Sequence, residues 1–227
     1  MARLARIVVP GLPHHVTQRG NRREQVFFSG DDYQAYADLL SDALRVSGSE
    51  IWSWCLMPNH VHLIVVPGDE DGLRTTVAHV HRKYAGRINA RNRWTGHLWQ
   101  GRFGSVVMDE DHLLTAFAYV ALNPVRARLV ERAEDWPWSS VHAILSGRDD
   151  GITTCEPVLT RIPDFRRFLL DHQESDEVYA VLRRGETAGR PLGSASFTQD
   201  LERRLNRRLA PQKRGPKTKQ IVEDGNN

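Results

Sequence analysis

His60-Val61-His62 places two imidazoles two residues apart at the head of an apolar run, Leu63–Val66. On a strand alternate residues share a face, so both rings point the same way at a separation one metal ion can bridge. The pair follows directly on Met57-Pro58-Asn59, a tight connection and so a rigid, recessed place from which to aim two ligands. The chain has ten histidines, so an H-x-H motif carries little weight by itself. Two histidines at the wet end of a half-buried strand have the same spacing.

A second group lies on a helix. Leu113, Phe117 and Val120 share one stripe, while His112, Tyr119 and Asn123 share another, roughly 100° around the axis. Tyr119 and Asn123 are i, i+4 neighbours, so a phenol and a carboxamide emerge side by side. The same spacing also suits a rim tyrosine that completes the core, with Asn123 as the helix stop before Pro124.

The elements that must position these groups follow from pattern. His14–Arg19 is read as a first strand ending at the Gly20-Asn21 turn. A helix starts at an Asp31-Asp32 cap and runs through Tyr36, Leu39, Leu40, Ala43 and Leu44 to about Val46. Ile51–Leu56 and His60–Val66 read as strands, the latter stopped by Pro67-Gly68. A helix over 73–92 buries Val77, Val80, Tyr84 and Ile88. Residues 98–108 read as a strand interrupted by Gly101 and Gly104. The Tyr119 helix then starts at 109–111 and is ended or kinked by Pro124. The order β-α-β-β-α-β is the ferredoxin-like arrangement, an α+β fold with an antiparallel sheet. Three parts are expected: an α+β domain over 1–148, a small helical extension over 149–210 and a basic tail without periodicity over 211–227. Within the extension, helices are expected over 165–170 and 196–209, the second with a Ser196/Gln199 capping box.

Composition bounds the partner. The chain has 227 residues, with 40% hydrophobic and 26% charged, proportions of an ordinary globular protein. Two cysteines are too few for a disulfide framework, and no apolar run is long enough for a signal core or a membrane span, so a cytoplasmic protein without a membrane partner is expected. The net charge of +3 is mild, but the cations cluster. Lys83, Arg87 and Arg91 share the second helix, and Arg207, Arg208, Lys213 and Arg214 belong to a basic C-terminal stretch that also contains Arg203, Arg204, Lys217 and Lys219. Clustered cations are the electrostatic footprint of a nucleic-acid binder, and equally of solvated helix faces.

Several ordered motifs carry a resemblance. MPNHVHLIVV, then LWQGRFGS, AYVALNPVRARLV and WPWSS, together with the opening GLPHHVTQRGNRREQVF, resemble the HUH single-tyrosine transposases of insertion-sequence type. The similarity is strongest to the REP-associated tyrosine transposases of bacteria, and it runs in order from Pro13 to Ser140. GRPLGSASF and the basic tail are similar to the C-terminal extension of that family. The resemblance implies that Tyr119 is the nucleophile, that His60 and His62 are metal ligands, and that Asn123 completes a site for Mg2+ or Mn2+. It implies cleavage and rejoining of single-stranded or hairpin DNA, including palindromic repeats, through a 5′-phosphotyrosine, by a nucleoid-associated protein that can act as a homodimer. Two departures stand out: Arg128 replaces a glycine common after NPVRA, and His14 replaces an aromatic common before the histidine of the first strand. Arg102 and Phe103 are further candidates for contact with DNA; a surface cation explains Arg102 as well, and ordinary strand packing Phe103. The rival readings are a replication-initiator or relaxase nuclease, a DNA-binding regulator that has lost cleavage, and a water-using metal hydrolase.

Overall fold

The computed structural model describes residues 6–172 and 179–210. Strand β1 spans His14–Arg19, helix α1 Gly30–Ser47, β2 Glu50–Met57, β3 His60–Val66, α2 His79–Asn92 and β4 Gly104–Val107. These six elements form the β-α-β-β-α-β unit, and the four strands make one antiparallel sheet in the order β2-β3-β1-β4. Helix α3 spans Glu110–Ala121 and α4 Asn123–Arg126. Beyond them lie α5 (Val141–Ser146), α6 (Glu156–Arg161), α7 (Phe165–Asp171), α8 (Ala180–Ala188) and α9 (Ala195–Leu205).

Strand alternation divides the core in two. Val16, Leu56, Val61, Leu63 and Val65 face Tyr36 and Leu40 of α1 and Val80, Tyr84 and Ile88 of α2. On the other side Cys55, Met57, Ile64 and Val66 pack with Leu113, Phe117 and Val120 of α3. That second core continues into Val158, Phe165, Leu169, Tyr179 and Leu182, so the α3 face of the sheet is covered by residues far along the chain. The glycine-bearing stretch after α5 leads straight back to the sheet, where Thr153 bridges Ile51 and accepts from Trp54 Nε1 at 3.0 Å.

Several boundaries differ from those read in the sequence, each for a local reason. Ser29, not the Asp31-Asp32 pair, precedes α1; the Asp32 carboxylate instead accepts from Phe28 N–H at 2.9 Å and pairs with Arg91. The long second helix begins with a π-helical turn, Arg74–Ala78, before α2. The strand expected over 98–108 shrinks to β4. Gly101 adopts φ +66°, a conformation a strand does not sustain, and Trp99 keeps a single bridge to Gly20. Gly20 itself has no room for a side chain, because a Cβ there would sit 2.2 Å from Glu24 O. The ladder between α3 and α4 breaks where Pro124 lacks an N–H. The cap of α9 is Ser194, whose hydroxyl accepts from Phe197 N–H at 3.1 Å, rather than Ser196. Asn206 ends that helix in the left-handed conformation, so Arg207 and Arg208 fall outside it.

Candidate active site

The site is built on the α3 face, at the end of β3 nearest the β2–β3 turn. In register, His62 stands opposite Thr17 of β1 and Cys55 of β2, and His60 opposite Arg19 and Met57. Both imidazoles project from the same face, with centroids 4.9 Å apart and planes at 85°. Their second nitrogens are engaged: His60 Nδ1 meets Asn59 Oδ1 at 2.6 Å, and His62 Nδ1 meets His15 Nε2 at 3.0 Å. An amide oxygen only accepts, so His60 carries its proton on Nδ1 and keeps the Nε2 lone pair. With the bridging proton on His62 Nδ1, the same holds there.

Burial keeps these rings neutral. It holds the His60 pKa down to about 4, with Arg19 adding to the effect. His62 is depressed well below the ordinary value by burial, then by His60, His15 and two arginines. Burial alone brings His15 to about 4. Neutral imidazoles with an oriented lone pair are what metal ligation requires. Among the described residues no group of three or more His, Cys, Asp and Glu side chains converges as a metal site. Two imidazoles thus need an amide, a water or a phosphate oxygen to complete a coordination shell.

Helix α3 brings Tyr119 over this pair. Its ring meets His62 edge to face, with centroids 5.2 Å apart, and meets His15 at 5.8 Å. Tyr119 is 6% exposed, and Asn123, one turn on at the start of α4, is 8% exposed. The Arg126 guanidinium stacks on both Tyr119 and Tyr179, at 4.8 and 4.6 Å from their centroids, and the two tyrosine rings lie 5.1 Å apart. His112, at the first turn of the same helix, is held by Asp109, with Nδ1 at 2.6 Å from Oδ1.

Three participants were not singled out in the sequence. His15 belongs to β1, and its alternation with Thr17 and Arg19 puts it on the His62 face. Arg126 lies in the NPVRA motif, seven residues beyond the tyrosine. Tyr179 had no local signal, since its place depends on the chain returning to α3.

The cationic candidates lie elsewhere. Lys83, Arg87 and Arg91 sit on α2, across the sheet from Tyr119, and Arg91 is committed to Asp32. Phe103 is buried beside His81, with the Arg6 guanidinium 3.5 Å from its centroid, so it offers no face for stacking; Arg102 next to it is exposed. Arg207 and Arg208 follow α9, while Lys213 and Arg214 lie outside the described residues.

Comparison with known proteins identifies a family. Residues 8–123 match the family described as "Transposase IS200 like". A REP-associated tyrosine transposase of Escherichia coli K12 is 24% identical over 123 residues, 54% of this chain and 71% of the relative. A Haemophilus influenzae protein with the provisional description of REP-associated tyrosine transposase is 27% identical over 99 residues, 39% of this chain. That alignment spans only 56% of the Haemophilus protein. A solved REP-associated tyrosine transposase bound to a REP hairpin shares the fold, with TM-score 0.54 and 22% identity over 68% of this chain and 90% of that one. No helix among the described residues is long and apolar enough to cross a membrane. The matched segment takes in β1, the His60-Val61-His62 strand and the whole of the Tyr119 helix, and on that match the chain belongs to the IS200-like transposase family.

Proposed function

We propose that the protein cuts and rejoins single-stranded or hairpin DNA, with Tyr119 as the nucleophile beside a divalent ion, Mg2+ or Mn2+. His60 Nε2, His62 Nε2 and the carboxamide oxygen of Asn123 would hold the ion. The observation that carries this reading is the 5.2 Å approach of the Tyr119 ring to His62, which joins two motifs from distant parts of the chain. The relatives' description as REP-associated tyrosine transposases, one of them bound to a REP hairpin, supports hairpin DNA as the substrate.

Tyr119 Oη attacks the phosphorus as the bond to the 3′ oxygen breaks. The phenol gives up its proton and the departing oxygen takes one, leaving a 5′-phosphotyrosine and a free 3′ hydroxyl. One phosphodiester replaces another, so reversal joins strands without an external energy source. When bound, the ion polarises the scissile phosphate and offsets charge in the transition state. Asn59 and His15 orient the two imidazoles through their Nδ1 atoms. Arg126, stacked on the Tyr119 ring, supplies positive charge beside the phenol that loses its proton.

The experiment is incubation of labelled hairpin DNA with the protein and Mg2+ or Mn2+, followed by denaturing electrophoresis. A covalent protein–DNA band is expected, lost in Tyr119→Phe and in EDTA. A band that persists in Tyr119→Phe assigns the nucleophile elsewhere. Cleavage without any band makes the reaction a hydrolysis.

A further inference from the structure

A groove of about 510 Å³ opens at the end of the sheet that carries His60, on the side of α1 and α2. One wall is the segment after β1, including Arg22, Gln25 and Phe28; the other is the turn after α2, including Trp94 and His97. The first wall is pinned to the candidate active site, and the second is pinned to the first. Asn59, the neighbour of His60, donates from Nδ2 to Arg23 O at 3.0 Å and accepts from Gly20 N–H at 2.8 Å. Across the groove, Asn21 N–H donates to Leu98 O and Gln100 N–H to Arg19 O, each at 2.8 Å.

Two large aromatic side chains stand open here. Trp94 is 50% and Phe28 41% exposed, with centroids 5.6 Å apart at 75°, so each ring supports the other and leaves a face to solvent. Exposed aromatic area costs solubility, and most other aromatic side chains of the fold are buried. Arg22 lines the groove together with Glu24, Arg93 precedes Trp94 in the chain, and the Arg91 guanidinium, paired with Asp32, lies 5.9 Å from the Phe28 centroid. Asn89 spends Nδ2 on Gly96 O at 3.0 Å, leaving its Oδ1 as an acceptor at the groove's edge. Flat aromatic faces, guanidinium groups and amide edges together suit an unpaired nucleobase, because stacking holds the ring while cations hold its phosphate.

We propose that this groove docks an unpaired base of the DNA strand that runs to Tyr119, stacked on the Trp94 indole with Phe28 as its support. The proposal rests on the DNA-cleaving reading and adds a binding position, 5′ or 3′ of the hairpin stem, that a blunt hairpin cannot fill.

The test compares Trp94→Ala, Phe28→Ala and Trp94→Phe with the parent on a hairpin carrying a single-stranded extension and on the same stem without one. Thermal melting is followed for each variant; both side chains are exposed, so folding is expected to survive. Trp94→Ala is expected to lose about tenfold or more in affinity for the extended hairpin, the scale of one stacked base. It leaves the blunt hairpin unchanged, and Trp94→Phe keeps much of the difference. Because stacking releases no counterions, the dependence of log affinity on log salt stays the same. Abasic substitution walked along the extension is expected to erase the variant's effect at one nucleotide. Equal losses on both hairpins, a changed salt slope, or no loss at all overturns the groove assignment while DNA cleavage by Tyr119 stands. If the parent binds neither hairpin, the DNA-cleaving reading itself falls.

Discussion

His15 Nε2 lies 3.0 Å from His62 Nδ1, and the two rings stack 5.2 Å apart at 11°. The bond joins adjacent strands across the face that carries Tyr119, and it fixes the plane of one candidate ligand. Outer hydrogen bonds of this kind typically change metal affinity by about 10–100-fold. His15→Ala is therefore expected to weaken Mn2+ binding, measured by calorimetry, by about that factor. His15→Gln, which retains a hydrogen-bonding group, restores part of it. Unchanged Mn2+ affinity in a folded His15→Ala protein would reduce His15 to a packing residue.

The folding unit was legible because its signals are local. The turn signals Gly20-Asn21 and Pro67-Gly68 marked the ends of β1 and β3, and the histidine spacing survives in the structure as two rings on one face. Tyr119 was also legible, but its nearness to His62 was not, because that distance depends on how α3 crosses the sheet. Arg126 and Tyr179 were missed for the same reason: each meets Tyr119 only through tertiary packing. The basic α2 helix was the opposite case. Charge clustering is visible in a sequence, whereas the face it occupies is not, and α2 packs across the sheet from Tyr119.

Arg128 adopts φ +57° at the position where the resembling family often has glycine. A side chain in that conformation costs roughly 1–2 kcal/mol, and glycine returns part of that through its more flexible unfolded chain. Arg128→Gly is expected to stabilise the protein by about 0.5–1 kcal/mol, read as a higher urea midpoint with unchanged m. A lower midpoint would mean that the arginine side chain makes a contact worth more than the backbone strain.

Acid should destabilise the metal-free protein over a defined window. Burial lowers the His14 pKa to about 4 and the His81 pKa to about 3. His14 has no spare lone pair: Nδ1 donates to Leu12 O at 2.7 Å and Nε2 accepts from Val9 N–H at 3.2 Å. Below the unfolded value of ~6.5 the unfolded chain takes up protons that the native state refuses, so stability falls with pH. The loss continues down to each folded pKa, at up to ~1.4 kcal/mol per pH unit per histidine. Above pH ~6.5 the contribution is complete. Urea unfolding in EDTA at pH 7.5, 5.5 and 4.5 checks this. His14→Gln should flatten the profile, and a flat profile in the parent would refute it.

The cations of α2 should separate into two roles when they are removed. Lys83 and Arg87 are exposed, whereas Arg91 holds the Asp32 carboxylate, whose side chain is fully buried, through two hydrogen bonds, Nη2 to Oδ2 at 2.9 Å among them. That arginine holds the Asp32 carboxyl below its usual range against the effect of burial, and the Asp32 carboxylate also accepts from Phe28 N–H. Arg91→Ala leaves a buried charge without its partner. The expected cost is about 2–3 kcal/mol, less than for a fully enclosed pair because the guanidinium is partly open to water. Lys83→Ala and Arg87→Ala are expected to leave stability within about 0.5 kcal/mol. If α2 touches the phosphate backbone, each lowers the slope of log affinity against log salt by up to ~0.7 on single strands. Because α2 lies across the sheet from Tyr119, adduct formation at saturating DNA should not change in either variant. The paired measurement is urea unfolding and a salt titration of hairpin binding for all three proteins. A destabilised Lys83 or Arg87 variant, or an Arg91 variant as stable as the parent, would reverse this division of roles. An unchanged salt slope in both lysine and arginine variants would remove α2 from the DNA interface and leave its charges as a solvated face.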